Sequence, residues 1–286
     1  MVRAVALCLG ALVFFSGCVK DIAVSTVGAI VDDGFEAFTE EQDLAFAEQA
    51  LPANIKLLDV MLKNDPENAR LLRLGSEGYS SYALAFLEDT DPARARAFYR
   101  RGKEYGMRIL RRDASWARAL DGTLEDLTGR LAEADQEDVP ALFWTAFGWG
   151  SEIYLSLTSP DAIADLPRAE ALMDFVARTD STYYYAGADL FLGTLYGSRP
   201  KMLGGDLEKS RRHFDRALRL NGGRFLMTYV YCARSVAVQS LDEALFDEML
   251  AKVDAASLEI LPKARLANQV AKRKSELLKS RKSDLF

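Results

Sequence analysis

Histidine is almost absent from the sequence, which has one, His213, among 286 residues. Enzymes that work near neutral pH commonly use histidine as an acid or base, and no serine or cysteine here stands in a recognisable nucleophile motif. No spacing of His, Cys, Asp and Glu is typical of a metal site. We therefore predict a protein without enzymatic activity, cofactor or metal, in which His213 is solvated or partly packed.

Cysteine is also rare, with three residues in the chain. Cys8 and Cys18 lie near the start, and Cys232 stands alone in the stretch TYVYCARSVAV. A single thiol cannot form an internal disulfide, so the fold must be stabilised by packing. We predict that Cys232 behaves as a small buried apolar side chain.

The apolar run near the start, Ala4 to Phe15, has only 12 residues and is too short for a membrane-spanning helix. It follows Arg3 and precedes Ser16-Gly17-Cys18, an arrangement that is typical of an export signal. This start resembles a bacterial lipoprotein signal, which implies cleavage after residue 17 and acylation of Cys18. The alternative is a plain secretory signal in which Cys18 has no role.

A lipid anchor would place the mature protein in the periplasm. Val19, rather than aspartate, follows Cys18. The lipoprotein resemblance then favours the outer membrane and leaves the inner membrane open. We predict a signal peptide at residues 1–17, a lipid-anchored segment at 18–40 and a helical domain at 41–286.

The charge balance of the chain is acidic, with 42 acidic against 36 basic side chains, so nucleic acid is excluded as an expected partner. The last 24 residues differ, because eight basic side chains there face two acidic ones. Two interpretations are open: a solvated final helix, or an electrostatic patch for an acidic partner or lipid headgroups.

From about residue 40 onward, apolar residues recur three and four positions apart, and no stretch alternates convincingly with period two. Turn signals separate these stretches, for example NDPEN at 64–68, EDTDPA at 88–93, TSPD at 158–161 and NGG at 221–223. The pattern predicts an all-α protein built from helix pairs with short connectors.

The helix pairs carry degenerate tetratricopeptide-like patterns, such as Trp144-x2-Phe147-Gly148 and Leu192-Gly193-x2-Tyr196. In that repeat a glycine on the first helix lets the second approach, and an aromatic residue of the second fills the space. The separations here are 24, 25 and 21 residues, longer than the motif has. The glycine and large-residue pairs are Gly75–Tyr99, Gly148–Met173 and Gly193–Phe214. We predict a helical-hairpin array with extended loops within the pairs.

The stretch LYGSRPKMLGGDLEKSRRHFDRAL, residues 195–218, is glycine-rich without the Gly-Lys-Ser/Thr ending of a phosphate loop. Pro200 cannot continue a helix, Gly204-Gly205 permits a reversal, and Asp206 is placed to cap the next helix. We therefore interpret the stretch as a connector between two packed helices.

Taken with the lipoprotein-like signal that ends at Phe15-Ser16-Gly17-Cys18 and with the helical chain that follows, this loop resembles the TatT component of TRAP (tripartite ATP-independent periplasmic) transporters. The resemblance covers about 40–286 and is strongest over 185–220. It implies a lipid-anchored periplasmic scaffold that associates with the transporter's substrate-binding protein. It also implies a homo-oligomer, with a trimer as one form, and a pore or cleft that passes an apolar or acidic ligand.

Aromatic side chains and two cations are the candidate ligand or partner contacts. For each, core packing is the alternative. Three consecutive tyrosines on one helix point in three directions, so at least one should line a cleft or the surface. Asp189, on a packing face, is expected to pair with a basic group. The candidates are Trp144, Trp149, Tyr183, Tyr184, Tyr185, Tyr196, Arg199 and Lys201.

Three functions follow from these observations. The first is a docking scaffold of a TRAP transport system. The second is a generic tetratricopeptide lipoprotein that assembles envelope complexes. The third, a hydrolytic envelope enzyme, is disfavoured by the missing catalytic groups.

Overall fold

The computed structural model describes residues 34–157 and 159–286. The predicted signal peptide and the lipidation site Cys18 lie outside these residues. Every regular element that is described is helical, which confirms the predicted all-α class. The α-helices are α1 (Leu44–Asn64), α2 (Ala69–Tyr82), α3 (Pro92–Leu110), α4 (Ala114–Asp121), α5 (Leu124–Leu131), α6 (Val139–Tyr154), α7 (Pro160–Ala164), α8 (Leu166–Thr179), α9 (Tyr183–Gly197), α10 (Leu207–Asn221), α11 (Met227–Cys232), α12 (Val238–Ser240), α13 (Glu243–Ala255), α14 (Arg265–Ser280) and α15 (Lys282–Leu285).

Two π-helical turns, Ala83–Leu87 and Ala233–Ala237, continue α2 and α11. Short 3-10 turns occupy Gln136–Asp138, Lys201–Leu203, Leu258–Ile260 and Pro262–Ala264. A helical segment at residues 34–39 precedes α1. Within the described part of the chain, no helix combines the length and the apolar character needed to cross a bilayer.

The turn signals of the sequence define helix ends in the structure. The Asn68 side chain accepts a hydrogen bond from the Leu71 amide at the start of α2, and Asp206 accepts one from the Lys209 amide at the start of α10. Gly222 ends α10 in the left-handed conformation, at φ 63°. The predicted connector at 198–206 is confirmed, because α9 ends at Gly197 and α10 begins at Leu207.

Helix α3 packs between α2 and α6, and the backbones approach closely at glycines. A Cβ on Gly148 would lie 2.7 Å from the Lys103 amide nitrogen and 2.9 Å from the Tyr99 carbonyl oxygen. Both neighbours are backbone atoms of α3, so no larger residue fits at this position of α6.

The repeat pattern predicts the packing at one of its three glycines. Gly193 faces the ring of Phe214, where a Cβ would lie 3.0 Å from the ring carbons. Gly75 faces Tyr105 rather than Tyr99. The π-helical turn lengthens the first arm of the α2–α3 hairpin, so the residue opposite Gly75 comes later on α3.

The loops within the pairs are long in two cases. Residues 155–165 join α6 to α8 and contain α7, and residues 198–206 join α9 to α10. The expected long loop between α2 and α3 is absent, since the extra residues extend α2 through its π-helical turn and only 88–91 connect the helices. The long separation from Gly75 to Tyr99 therefore reflects helix length.

Basic side chains near the end of the chain pair with acidic groups of other segments or bond backbone carbonyls. Lys272 donates to the carbonyls of Val253 and Asp254, and the Arg273 guanidinium donates to that of Ala85. The basic ending is thus largely neutralised within the fold, which favours neither original interpretation. The ion pairs include Lys263–Glu36, Arg265–Glu259, Lys274–Asp89, Lys279–Asp254 and Lys282–Asp247.

Candidate functional site

Two adjacent cavities, which we call the connected space because five side chains line both, lie between α2, α6, α9 and α11, with α14 closing one side. The inner cavity has a volume of about 100 Å³, and its apolar wall includes Phe143, Trp144, Phe147 and Phe191. The outer cavity has a volume of about 530 Å³ and lies against residues 35–39, α1 and α14. The side chains that line both cavities form the neck: Ser81, Leu84, Tyr184, Phe225 and Met227.

Aromatic rings from α6, α9 and the segment before α11 meet at the neck. The Tyr184 ring packs edge-on against Trp144, with centroids 4.8 Å apart, and lies 6.2 Å from Phe225. Tyr183 packs edge-on against Phe143 at 5.1 Å, and Tyr185 stacks on Phe225 at 4.9 Å. Such ring pairs contribute about 0.5–1.5 kcal/mol each beyond the area they bury.

The backbone at Tyr184, Tyr185 and Ala186 is left-handed, with φ of 46°, 61° and 64°. A left-handed L-residue costs roughly 1–2 kcal/mol, so the surrounding contacts must hold this turn. The Asn221 side chain donates to the Tyr185 carbonyl at 3.2 Å and to the Thr228 hydroxyl at 3.1 Å. A buried amide at the end of α10 therefore stabilises the turn.

This turn corrects one sequence expectation and agrees with another. Tyr183, Tyr184 and Tyr185 do not fan out over three faces of a right-handed helix, because the left-handed backbone directs all three rings into the same aromatic cluster. At least one was expected to line a cleft, and Tyr184 and Tyr185 both line the outer cavity.

A buried ion cluster forms the polar end of the inner cavity. Glu88 accepts hydrogen bonds from the Tyr99 hydroxyl and the Arg234 guanidinium, both at 2.7 Å, and Lys274 lies 4.0 Å from it. Burial alone would raise the pKa of Glu88, but Lys274 and Arg234 outweigh burial and hold it below its ordinary value. The carboxylate is therefore ionised at neutral pH.

The rim of the outer cavity carries both signs of charge. Arg73 pairs with Glu77 at 3.2 Å on α2, and Lys263 pairs with Glu36 at 3.1 Å across the opening. The connected space is thus apolar and aromatic in its middle and charged at its ends. This arrangement suits an elongated ligand with an apolar body and a polar end.

Trp149 and Tyr196 lie away from this space. Trp149 lies on α6 beside the Lys103 ammonium, which is 5.7 Å from its ring, and faces a separate groove of about 620 Å³. The Tyr196 hydroxyl donates to Glu170 at 2.5 Å, and burial, together with this hydrogen bond, raises the pKa of Tyr196. The structure therefore brings together Trp144 and the three tyrosines, but not these two residues.

Arg199 and Lys201 differ in orientation although both lie in the connector. Arg199 turns inward, where its Nε donates to the Leu195 carbonyl at 2.9 Å and its side chain is 13% exposed. Lys201 is exposed at the tip of the loop. Arg199 is thus placed to hold the connector, whereas Lys201 faces outward.

The buried carboxylate of Asp189 pairs with basic groups, as expected. His213 Nδ1 lies 2.8 Å from Asp189 Oδ1, and Arg216 lies 3.5 Å from the same oxygen. His213 is therefore partly packed. In residues 34–157 and 159–286, no group of three or more His, Cys, Asp or Glu is placed to bind a metal ion.

Cys232 is buried and unpaired, as expected. Burial raises the pKa of its thiol to about 12, so the thiolate is not populated at neutral pH.

Comparison with known proteins assigns the chain to a family. A family model described as the TRAP transporter T-component matches residues 40–286. The chain belongs to the TRAP transporter T-component family. This T-component is also 26% identical over 271 residues to an uncharacterised protein of Treponema pallidum (strain Nichols), which covers 89% of this chain and 84% of that protein.

Membership of this family makes the chain a component of a transport system that works with other parts of a TRAP transporter. The sequence had predicted this family from the connector and the helical pattern, and the match confirms it. The family is that of a transporter component.

The sequence analysis did not identify several residues in or beside the cavities of the T-component. Phe225 and Met227 follow the NGG turn and contribute to the neck, while Glu88 and Arg234 form the polar end. The missed signal was charge within an apolar stretch: Arg234 stands in CARSVAV, where an isolated cation requires a buried partner.

Proposed function

We propose that this T-component docks the solute-binding protein of its TRAP transporter and passes an apolar or organic-acid ligand to or from that partner. The observation that carries the ligand part is the connected space between α2, α6, α9 and α11, which is apolar in the middle and charged at its ends. The family supports the transport role.

The chemistry of the space favours a ligand with an apolar body. Burying such a body in the aromatic middle yields about 25 cal/mol per Å² of apolar surface. A carboxylate at one end of the ligand would lie near Arg73 or Lys263 at the outer rim. Both cations already have acidic partners, so the rim would exchange one ion pair for another and tolerate both neutral and acidic ligands.

The docking part rests on the tip of the connector. Met202 is 89% exposed and Leu203 is 55% exposed, in a 3-10 turn that also carries Lys201. Arg199 holds the base of this turn from inside. Two exposed apolar side chains beside a cation, on a supported loop, are typical of a protein contact.

A binding measurement tests the docking site. The purified T-component is titrated with the solute-binding protein of its own transporter, and the Met202→Asp, Leu203→Asp double variant is compared with Leu241→Asp. Leu241 is 72% exposed in another loop, so that variant controls for an added surface charge. We expect at least tenfold weaker binding for the double variant only. Equal binding by all three proteins would place docking elsewhere.

A pull-down of the intact protein from its own envelope, read together with this titration, separates the two scaffold hypotheses. A T-component that does not bind the solute-binding protein, but recovers outer-membrane or cell-wall assembly factors from its own envelope, would support the generic envelope scaffold instead.

We also propose that Cys18 carries a lipid that anchors the protein in the periplasm, with the outer membrane favoured, and that copies of the chain associate, with a trimer as the expected form. The Cys18→Ser variant should leave the membrane fraction, and continued membrane retention would contradict the anchor. Light scattering of the purified protein should give the mass of the oligomer, and a monomer would contradict the assembly.

A further inference from the structure

Tyr184 is the largest of the five side chains that line both cavities at the neck. Tyr184 lines both cavities, and its ring packs against Trp144 on the inner side and against Tyr185, 5.7 Å away, on the outer side. The Ser81 hydroxyl lies beside the Tyr184 hydroxyl. The ring therefore stands between the two spaces.

The environment of Tyr184 shows that its free surface faces an internal space. The residue lies deep in the protein, and burial raises the pKa of its phenol well above the ordinary value. The side chain nevertheless keeps accessible surface, unlike the neighbouring Ala186, which is 1% exposed. Accessible surface on a deeply placed ring lies against a cavity.

The backbone under the ring lies where α9 changes hand. Tyr184, Tyr185 and Ala186 are left-handed, while the rest of α9 is right-handed up to Gly197. The Asn221 amide and the Phe225 ring hold the left-handed turn through Tyr185. If the turn became right-handed, the Tyr184 side chain would be redirected and would leave its place against Trp144.

We propose that Tyr184 determines the length of apolar chain that the T-component accepts, because its ring divides the connected space and confines a ligand to the outer cavity until the turn changes hand. This inference rests on the proposed ligand function. It adds the residue that sets selectivity, and it makes passage of a longer ligand dependent on the Tyr184–Ala186 turn.

Displacement of the fluorescent probe N-phenyl-1-naphthylamine by saturated straight-chain carboxylates tests the proposal. Affinity should rise about fourfold with each methylene, which is about 0.8 kcal/mol, until the chain fills the space open to it. In the full T-component we expect this gain to stop at the length of the outer cavity. In Tyr184→Ala the gain should continue for several more carbons.

Matched variants exclude a simple effect of lost volume. Tyr184→Phe keeps the ring, so its gain in affinity should stop at the same carboxylate length as in the unaltered protein. Tyr82→Ala removes an equal side chain from the outer wall, away from the neck, and should extend the limit far less than Tyr184→Ala. Carboxylates with a terminal bromine should quench Trp144 in Tyr184→Ala but not in Tyr82→Ala, because only an open neck brings the chain end to Trp144.

Each result decides between the two proposals. In one outcome, affinity stops rising at the same carboxylate length in three proteins: the unaltered protein, Tyr184→Ala and Tyr82→Ala. That result overturns the role of Tyr184 and leaves the ligand function standing. Absence of probe and carboxylate binding in every protein overturns the ligand function and this inference together. If Tyr184→Ala does not fold, Tyr184→Leu keeps an apolar contact with Trp144, removes the ring and is expected to lengthen the limit in the same direction.

Discussion

The Tyr184–Ala186 turn positions the aromatic rings at the neck of the cavities. The sequence predicts that the three tyrosines lie on one helix, and the structure places them in the first turn of α9. It does not predict the left-handed backbone, because Tyr and Ala have no local preference for that conformation. The Asn221 amide, which holds the turn, lies 36 residues away from Tyr185 along the chain.

Replacing Ala186 by glycine tests the left-handed turn. Glycine adopts a positive φ without steric cost, so relief of strain should offset the lost methyl burial and leave the unfolding free energy within about 0.5 kcal/mol of the unaltered value. Ala188, also buried but in the right-handed part of α9, is the control. Ala188→Gly should cost about 1.5 kcal/mol. Urea unfolding measures both, and equal losses would contradict a left-handed Ala186.

The buried carboxylate of Glu88 should give stability a particular pH dependence. Its pKa in the folded protein lies below the ordinary 4.5. The stabilisation is therefore fully present above pH 4.5 and is lost as pH falls through the folded pKa. Glu88→Gln should cost about 3 kcal/mol at neutral pH, since it leaves the partly buried Arg234 guanidinium without its carboxylate. The difference between the two proteins should shrink in acid, and a difference that is constant with pH would contradict this account.

At the scale of helices, the sequence predicts helix ends well, but it predicts less well which residues of neighbouring helices pack against each other. Asp, Asn and Gly residues at the turns define where α2, α3 and α10 begin or end. The π-helical turn after α2 leaves no comparable signal, and it changes which residue of α3 faces Gly75. Partner prediction failed there because hairpin register depends on helix length as well as on motif spacing.

Two helix glycines should respond to alanine in opposite ways, because Gly148 lies where α3 and α6 approach closely and Gly129 has open space around it. Gly148→Ala places a methyl group against the Lys103 and Tyr99 backbone, which cannot yield as a side chain can, and should cost about 2 kcal/mol. Gly129→Ala, in α5 with nothing within 4 Å of the added Cβ, should gain about 0.5–1 kcal/mol. Thermal unfolding measures both shifts. A tolerated Gly148→Ala would contradict the close packing of α3 and α6.

At the scale of the whole molecule, the fold encloses an apolar space while its charged segments pair with one another. The sequence predicts the all-α class, the family and the aromatic contribution of Trp144 and Tyr184. It does not predict the cavity itself, because Phe225, Met227 and Leu84 come from distant segments and look like ordinary core residues. Nor does it show that the basic ending is neutralised, since Glu36, Asp89 and Asp254 lie far from it in the chain.

The central claim is that this T-component holds its ligand in the space between α2, α6, α9 and α11. The most direct test is a fluorescence titration with N-phenyl-1-naphthylamine of the full protein and of Ala267→Trp, which places a large ring in the outer cavity from α14. We predict saturable binding by the unaltered protein and at least tenfold weaker binding by Ala267→Trp, with unchanged docking of the solute-binding protein. Equal binding by both proteins would show that the ligand does not occupy this space.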